Sequence, residues 1–302
     1  MSRLRHLAKI IVKFDFLVRL IRSIFIQVQL YAPSENMNLY VRELSSKQIE
    51  TIPFKERIEQ NKKILENLRL LKPNFIDDSK LIRVGPEAEG GYVLYNNVAQ
   101  IDSIISIGVA KDTAFEEDFN AIAPGKPQIH LFDHTDKPLR KLPGNFHFHS
   151  QGIGSEVNFG KSLITLTEII DLYIDSTKEN LLKIDIDGSE YSSLKVCTSN
   201  QFQNFGQIII EFHELAEYAI FSDELSKILT TLLNDFFVIH LHPNNFEPWK
   251  VVNGFSLPNV LEVTFLNNRF RNEVEDKIKT YPTPLDFPND SKFEMILGSF
   301  IY

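Results

Sequence analysis

The sequence predicts an α/β fold in which a mostly parallel sheet carries helices on both faces. From residue 101 onward, short apolar runs typical of strands alternate with segments that have helical periodicity. This alternation is typical of strand–helix–strand units with right-handed crossovers. The last two apolar runs, 236–241 and 260–266, are interpreted as a closing antiparallel pair.

Residues 1–33 have the pattern of a basic amphipathic helix that ends at Pro33. Apolar side chains from Leu4 to Val28 form one stripe, and the Lys and Arg residues lie mostly off it. A helix that spans a bilayer needs roughly 18 or more consecutive apolar residues, and here Lys13, Asp15, Arg19 and Arg22 interrupt the apolar run. The pattern fits a helix on an anionic membrane, which would place a cytoplasmic protein at the inner face. The alternatives are packing on its own domain and pairing with a second copy of the chain, which would make a homo-oligomer.

Residues 34–76 are expected to form a linker and a covering helix. The helix is predicted over 54–71, and Pro73 ends it. Its apolar face is predicted to consist of Ile58, Leu65, Leu68 and Leu71.

Residues 77–302 are expected to form the main domain. The segment 83–94 reads as a hairpin with Gly90 and Gly91 at its turn, and as a flap it could present Arg83 or Tyr92 to a ligand. Strands are then predicted at 103–107, 128–132, 146–149, 181–186 and 207–212. Helices are predicted to begin at Thr113 and Thr165, because each has Glu three residues later, the spacing of a capping box.

Composition narrows the classes of function. The net charge of −8 argues against a nucleic-acid-binding protein, since neutralising phosphates requires a basic face. The single cysteine, Cys197, cannot form an internal disulfide, which suits a reducing compartment.

Polar residues gather where the predicted strands end, most densely in the stretch 181–190. Ligands of open α/β sheets bind beyond the carboxyl ends of the strands, so we expect the active site there. An acidic turn before a helix N-terminus is the alternative for residues 185–190 alone. The strand-end residues are Gly108, Asp112, Asp133, Asp185, Asp187, Glu190, Glu211, His213, Glu214, His240, His242, Asn244 and Asn245.

Such a site could serve three kinds of reaction, which the sequence supports to different degrees. Nicotinamide chemistry fits poorly, because the first strand is followed by one glycine rather than G-x-G-x-x-G. A nucleotide-sugar glycosyltransferase could hold a divalent metal with Asp185 and Asp187. S-adenosylmethionine-dependent methyl transfer fits a small residue at Gly108, which leaves room for the cofactor, and a carboxylate at Asp133, which can accept the ribose hydroxyls.

Several motifs resemble FkbM-type S-adenosylmethionine-dependent methyltransferases. Residues 104–116 and the acidic block 182–190 carry the resemblance, and Gly90-Gly-Tyr-Val-Leu94 looks like the entry of a bacterial G-G-Y-V subgroup. Blocks at 240–245, 257–262 and 285–289 are similar to its C-terminal part. Asp187 stands where the family more often has Glu. The match spans about residues 80–290 and leaves residues 1–75 outside.

The resemblance implies a Rossmann-like, seven-stranded class I methyltransferase sheet with a closing antiparallel strand. It also implies O-methylation of a sugar or glycan hydroxyl, as in bacterial surface polysaccharide biosynthesis. Carried over residue by residue, the cofactor would contact Gly108, Asp112, Phe115, Asp133 and Asp185. We assign the acceptor side to Asp187, Glu190, Asn245 and Tyr92.

A sugar hydroxyl needs a general base or a metal to become a nucleophile. The catalytic residues are predicted to be His213 as base, His242 as second choice, and Asp185. Alternatively, Asp185, Asp187 and His213 could bind Mg²⁺ or Mn²⁺. The rival functions are the metal-dependent glycosyltransferase and, ranked last, a membrane-tethered glycan-binding protein.

Overall fold

The computed structural model describes residues 54–156, 162–291 and 294–299. The predicted helix of residues 1–33 and the linker up to residue 53 lie outside these ranges. The described residues form two compact units. The larger comprises Glu59–Trp249 and the described residues from Pro258 onward; the smaller comprises residues 54–58 and Lys250–Leu257.

A seven-stranded sheet forms the centre of the larger unit. Its strands are β3 (Ile101–Ile107), β4 (Gln128–Phe132), β5 (Phe146–His149), β8 (Glu179–Ile184), β9 (Gln207–Phe212), β10 (Phe236–Pro243) and β13 (Leu261–Asn267). Their order across the sheet is β10-β13-β9-β8-β3-β4-β5. Only β13 runs antiparallel to its neighbours, β10 and β9. The predicted Rossmann-like sheet with a closing antiparallel strand is confirmed.

The central strands form where the sequence has unbroken apolar runs. Leu181, Leu182, Ile184 and the three isoleucines of β9 are wholly buried, as expected for strands covered on both faces. The bounds of β4, β5 and β9 match the prediction, whereas β8 ends at Ile184 rather than at 186. Asp185 and Asp187 therefore lie just beyond a strand end.

Helices and short strands fill the connections of the sheet. The helices are α1 (Phe54–Leu70), α2 (Ala114–Ile122), α3 (Leu166–Tyr173), α4 (Glu190–Leu194), α5 (Ser199–Phe202), α6 (Leu215–Phe221) and α7 (Glu224–Leu233). The minor strands are β1 (Leu81–Val84), β2 (Tyr92–Tyr95), β6 (Gly152–Ile153), β7 (Leu163–Ile164), β14 (Thr280–Tyr281) and β15 (Gly298–Ser299). Within the described ranges, none of the helices is long and apolar enough to cross a membrane.

The smaller unit contains a short hairpin. Its strands, β11 (Lys250–Val252) and β12 (Phe255–Leu257), are antiparallel. Gly254 adopts a φ of +90° at the turn, a conformation that glycine accepts without steric cost.

The buried face of α1 differs from the predicted one. Leu68 and Leu71 are buried as expected, but Ile58 is 48% exposed. Ile64 and Asn67 take part in the face instead. The amide of Asn67 donates to the carbonyl oxygens of Lys63 and Ala219, so a polar side chain is satisfied inside the interface.

One of the two predicted capping boxes is present. Thr165 and Glu168 form reciprocal bonds at the start of α3. The prediction for Thr113 is wrong, because Thr113 Oγ1 donates to Glu117 while Glu116 is buried and accepts a bond from Ser106. Burial of Glu116 in the domain interior explains the difference.

The predicted hairpin 83–94 is confirmed as β1 and β2. Thr264 on β13 donates to Val93, and the Gln207 amide bonds both the N–H and the carbonyl of Tyr95, so the hairpin is fixed to the sheet. Arg83 donates to backbone carbonyls, which makes it a structural side chain of the hairpin.

Candidate functional site

The end of β3 packs directly against the end of β8. Gly108 has a φ of +82°, and a Cβ on it would lie 1.6 Å from the carbonyl oxygen of Asp185. The N–H of Asp185 in turn donates to the carbonyl of Ile107. A side chain at position 108 would displace protein backbone. The structural reason for this glycine is therefore contact between two strand ends, rather than the room for a ligand that the sequence suggested.

Tyr92 joins two carboxylates from adjacent strands. Its hydroxyl lies 3.0 Å from Asp185 Oδ2 and 3.1 Å from Glu211 Oε2. Asn244 donates to the other oxygen of Glu211 at 2.8 Å. Burial, reinforced by the charges of Asp185 and Glu211, raises the pKa of Tyr92 well above its ordinary value. Tyr92 therefore stays protonated, and its single O–H donates to one of the two carboxyl groups at a time.

Lys183 places a buried cation beside the same carboxylates. Its ammonium lies 3.8 Å from Asp185 Oδ2 and 5.1 Å from the centre of the Tyr92 ring. Burial alone would lower the pKa of Lys183, but the charges of Asp185 and Glu116, among others, more than offset it and raise that pKa. Sequence reasoning missed this residue. The available signal was parity, because residues 183 and 185 point to the same side of a strand.

His213 lies at the centre of an acidic group. Its Nδ1 is 2.8 Å from Glu190 Oε1. Its Nε2 lies 3.6 Å from Asp187 Oδ1 and 3.9 Å from both Asp185 Oδ1 and Glu211 Oε1. We call Asp185, Asp187, Glu190, Glu211 and His213 the strand-end cluster.

Glu190 is wholly buried and fixes the orientation of His213. Besides bonding the imidazole, its Oε1 accepts from the N–H groups of Ile186 and Gly188, each at 3.3 Å. The carboxylate is thus anchored to the turn that follows β8. The ring of His213 is held through Nδ1, and Nε2 faces the remaining carboxylates.

The surrounding acids determine the charge of His213. Burial alone lowers its pKa, but the Glu190 bond and the charges of Glu190, Asp185 and Asp187 raise the pKa to about 9. At pH 7 the ring is then cationic and cannot accept a proton from a hydroxyl. A metal-ligand role would require a neutral ring that gives the Nε2 lone pair to the ion.

The group that could hold a metal differs in one member from the predicted set. Asp185, Glu211 and His213 each offer one ligand atom, and these atoms all lie within 4.8 Å of one another. The side chain of Asp187 is 99% exposed on a residue with a φ of +50°. The structure thus brings Glu211 into the group, and Asp187 lies at its solvent edge.

Asp133 joins the loops that follow β3 and β4. Oδ1 accepts from the N–H and hydroxyl of Thr135 and from the N–H of Asp136, and Oδ2 accepts from Ala110 N–H at 2.7 Å. Burial by itself raises the pKa of Asp133, but these four donors lower it overall. Each oxygen of an ionised carboxylate has about two acceptor positions, so Oδ2, which accepts from Ala110 N–H, keeps one position for a ribose hydroxyl.

The other two predicted cofactor residues take structural positions. Asp112 Oδ1 accepts from Ala114 N–H at the start of α2. Phe115 is 3% exposed and packs edge-on against the Tyr92 ring, with 5.5 Å between ring centroids. Phe115 thus supports Tyr92 from the core and does not line an open pocket.

A cavity of about 280 Å³ opens beside the cluster among the loops that follow β4, β5 and β8. It is lined by His134, Ile153, Gly154, Ser155, Glu156, Leu163, Ser189 and Ser192. Ser189 immediately precedes Glu190, so the turn 188–190 belongs to both the cavity and the strand-end cluster. None of the eight lining residues is among the predicted site residues, although Ser189 lies within the stretch 181–190.

His242 and Asn245 lie in contacts with the C-terminal segment. His242 is 1% exposed, with Nδ1 3.1 Å from Glu262 and Nε2 3.3 Å from Glu294. Burial lowers the pKa of His242, but both carboxylates raise it, to about 10. A ring that is protonated and bonded at both nitrogens cannot serve as a base, so the second-choice assignment is corrected. Asn245 exchanges two hydrogen bonds with the backbone of Asp290.

Comparison with known proteins adds little to this description. No protein-family model and no curated protein matches the chain. A putative rRNA methylase from Clostridium thermocellum is similar over 55% of this chain and 86% of its own, at 12% identity and a TM-score of 0.32. The fibrillarin pre-rRNA processing protein of Methanococcus jannaschii covers 56% of this chain and 68% of its own, at 11% identity and a TM-score of 0.33.

A putative O-methyltransferase from Klebsiella pneumoniae is similar over 80% of this chain and 94% of its own, at 8% identity and a TM-score of 0.28. Similarities of this size carry no argument about activity. The fold therefore rests on the strand order described above, and the family suggested by the motifs stays a prediction.

Proposed function

We propose that this protein is an S-adenosylmethionine-dependent O-methyltransferase that acts on a sugar or glycan hydroxyl. One observation carries the proposal. At the carboxyl edge of a Rossmann-like sheet, a cavity and a polar cluster share the turn 188–190. Such an edge is the usual ligand site of α/β sheets. Two adjoining compartments suit a reaction that brings a donor and an acceptor together.

The cavity is the compartment proposed for the adenosine part of the cofactor. It is bounded by the loops that follow β4 and β5, and Asp133 at the end of β4 keeps one acceptor position on Oδ2. The sulfonium group would then face the strand-end cluster. Carboxylates such as Asp185 and Asp187 stabilise a cation without binding phosphate.

The reaction replaces one bond by another. The acceptor oxygen attacks the methyl carbon, the S–CH₃ bond breaks with its electron pair returning to sulfur, and the hydroxyl proton is released. The products are the methyl ether, S-adenosylhomocysteine and a proton. Holding the oxygen in line with the S–CH₃ bond can supply much of the rate enhancement, and the rigid Glu190–His213 pair is suited to positioning the acceptor.

The geometry favours this function over the nucleotide-sugar glycosyltransferase. That enzyme would use Asp185 and Asp187 to hold a metal against a diphosphate. In the structure Asp187 is fully exposed and is not a second buried ligand beside Asp185, whose buried neighbours include Tyr92, Lys183 and Glu211.

Thermal-shift titration separates the two functions. We expect S-adenosylhomocysteine to raise the melting temperature in the presence of EDTA, because cofactor binding stabilises the folded state. UDP and GDP with Mn²⁺ serve as the matched ligands for the alternative. Stabilisation by a nucleoside diphosphate and none by S-adenosylhomocysteine would reject the methyltransferase proposal.

We also propose that residues 1–33 bring the enzyme to an anionic membrane, beside lipid-linked intermediates of surface polysaccharide assembly. The support is the apolar stripe flanked by basic residues. Co-sedimentation with vesicles of anionic or neutral lipid tests it. The full chain should pellet with anionic vesicles only, and a chain lacking residues 1–30 with neither. Equal pelleting of both chains would reject this placement.

A further inference from the structure

We propose that Asp185, Glu211 and His213 bind a divalent cation, Mg²⁺ or Mn²⁺, and that Glu190 is the positioning residue for His213. The inference deepens the proposed function, because a cation there would lower the pKa of an acceptor hydroxyl bound to it. The effect on the acceptor hydroxyl rests on the proposed function, methyl transfer. Binding of the cation does not depend on that function and can be measured separately.

Each carboxylate lies close enough to His213 to share an ion with it, and the three ligand atoms all lie within 4.8 Å of one another. Two atoms that each bond an ion at about 2.1 Å are at most about 4.2 Å apart. Asp185 Oδ1 and Glu211 Oε1 are each 3.9 Å from His213 Nε2. The three residues come from the turn after β8, the end of β9 and the turn after β9, so neighbouring strands hold the group together.

His213 has the orientation of a metal ligand. Metal-bound histidines usually donate their other ring N–H to a carboxylate or carbonyl, which fixes the tautomer. Glu190 accepts from Nδ1 at 2.8 Å and is itself 0% exposed and bonded to two backbone N–H groups. The Nε2 atom is left facing the carboxylates, the nearest of which is 3.6 Å away.

The carboxylates are also prearranged as ligands. Tyr92 contacts Asp185 Oδ2 and Glu211 Oε2, and Asn244 donates to Glu211 Oε1, so both carboxyl groups are restricted in rotation. Buried carboxylates that approach one another are compensated by a cation or take up a proton. Lys183 contacts Asp185 at 3.8 Å from one side. A divalent ion would compensate the group on the side of His213.

The negative charge that develops during methyl transfer is a further reason to expect a bound cation. The acceptor oxygen gains negative charge as its proton leaves, and that charge would develop beside Asp185, Asp187 and Glu211. Carboxylates favour the sulfonium but oppose an alkoxide. A cation among these carboxylates would stabilise the developing alkoxide. It would leave in place the carboxylates that stabilise the sulfonium.

The test is isothermal titration of the full-length protein with MnCl₂. We expect one saturable site in the wild type and none in Glu211→Gln or His213→Ala. Glu190→Gln keeps an acceptor for Nδ1 but removes the charge, and we expect about 10- to 100-fold weaker binding, as for other orienting partners of metal ligands. Circular dichroism checks that each variant is folded.

Asp187→Asn is the matched control. It removes one negative charge at 3.6 Å from His213 Nε2, but from an exposed side chain. We expect its Mn²⁺ affinity to change by less than about fivefold, because exposed charges are screened. If Asp187→Asn weakens binding as strongly as Glu211→Gln, the assigned ligand set is wrong.

Failure of this inference can be told from failure of the proposed function. Protein that binds S-adenosylhomocysteine in EDTA but shows no saturable Mn²⁺ site overturns the cation proposal alone. Protein that binds Mn²⁺ at this site but not S-adenosylhomocysteine overturns methyl transfer alone. Unchanged Mn²⁺ binding in folded His213→Ala would also reject the site.

Discussion

Two regions of the protein pair histidine with carboxylate, and they differ in how the histidines are bonded and in how far they reach solvent. In the C-terminal ion-pair group, His242 bonds Glu262 and Glu294 through its two ring nitrogens, while His240 bonds Asp286 at 2.7 Å through Nε2 and its Nδ1 is buried without a partner among the residues that the structure describes. In the strand-end cluster, His213 bonds Glu190 through Nδ1 only, and the contacts of Nε2 are 3.6 Å or longer.

The two regions also differ in access to solvent. The side chains of His240 and Asp286 are 3% and 0% exposed, whereas His213 is 17% exposed and its neighbour Asp187 is 99% exposed. The C-terminal group attaches the segment around residues 286–294 to β10 and β13. His242, which is buried and bonded at both nitrogens, serves the fold. His213, which is held at Nδ1 and whose Nε2 lies beside an exposed carboxylate, is suited to chemistry.

The largest expected effect is on activity, in His213→Ala. Turnover should fall about 10²-fold or more, because the variant loses the side chain proposed to position the acceptor. The affinity for S-adenosylhomocysteine should change little, because the side chain lies at the partly exposed rim of the site. The free energy of unfolding should fall, because Glu190 stays buried without its imidazole partner. Methyl transfer from labelled cofactor and titration of S-adenosylhomocysteine measure the two. Loss of cofactor affinity in a folded variant would assign His213 to the cofactor site.

The corresponding variant in the C-terminal ion-pair group is Asp286→Ala, which should lower the free energy of unfolding. Removing one partner of a buried pair leaves the other unpaired, which costs about 3–5 kcal/mol of unfolding free energy. Urea denaturation measures it. Glu66→Ala, which removes an exposed i,i+4 partner of Lys62, is the control and should cost less than about 0.5 kcal/mol. Equal losses in both variants would contradict the distinction between the two regions.

Gly108→Ala should weaken the base of the strand-end cluster. Positive φ costs about 1–2 kcal/mol for a residue with a Cβ, and the clash with the Asp185 carbonyl adds to it. Gly90→Ala isolates the first contribution, since φ is +79° there and a Cβ would meet nothing within 4 Å. Gly108→Ala should therefore be the more destabilising of the two in urea denaturation. Equal effects would mean that the strand ends separate easily.

The C-terminal ion-pair group should also show a dependence of stability on pH, through His242. The pKa of His242 is raised from 6.5 to about 10, so its pairing with Glu262 and Glu294 stabilises the fold fully below pH 6.5. This contribution is lost as pH rises through about 10. Melting temperatures measured from pH 6 to 10 should fall less steeply in His242→Gln than in the wild type. Parallel curves would show that His242 does not carry the dependence.

The stability that depends on Asp286 changes with pH in the opposite direction, and it does so at acid pH. Burial raises its pKa, but His240 and other partners lower it overall, from 3.8 to about 2. Its stabilisation is present above pH 3.8 and is lost as pH falls through about 2.

Much of the architecture could be predicted because it depends on local pattern. The predicted bounds of β4, β5 and β9 match the observed ones. Apolar runs of four to six residues are typical of strands that are buried in the fold. The capping box at Thr165 formed as predicted. The one at Thr113 did not, because tertiary burial of Glu116 competes with a local hydrogen bond.

The sequence predicted the location of the candidate site, but it did not predict all of its residues. Chain order identified the turn after β8 and the end of β9 as strand ends, and it correctly placed Asp185, Glu190 and His213 at one edge. It assigned Asp187 to the metal and overlooked Lys183. Whether a side chain points inward depends on the register of neighbouring strands, and a single strand does not contain that information.

By itself, the sequence determined an α/β sheet with acidic strand ends, because burial of apolar runs and the placement of polar residues follow from local patterns. Only the tertiary structure decided that Tyr92 from a distant hairpin joins Asp185 to Glu211, and that Glu190 holds His213. Only it separated His213 from His242, two histidines that each follow an apolar strand. The physical reason is that charge and hydrogen bonding depend on neighbours in space, which the fold supplies from parts of the chain as much as 119 residues apart.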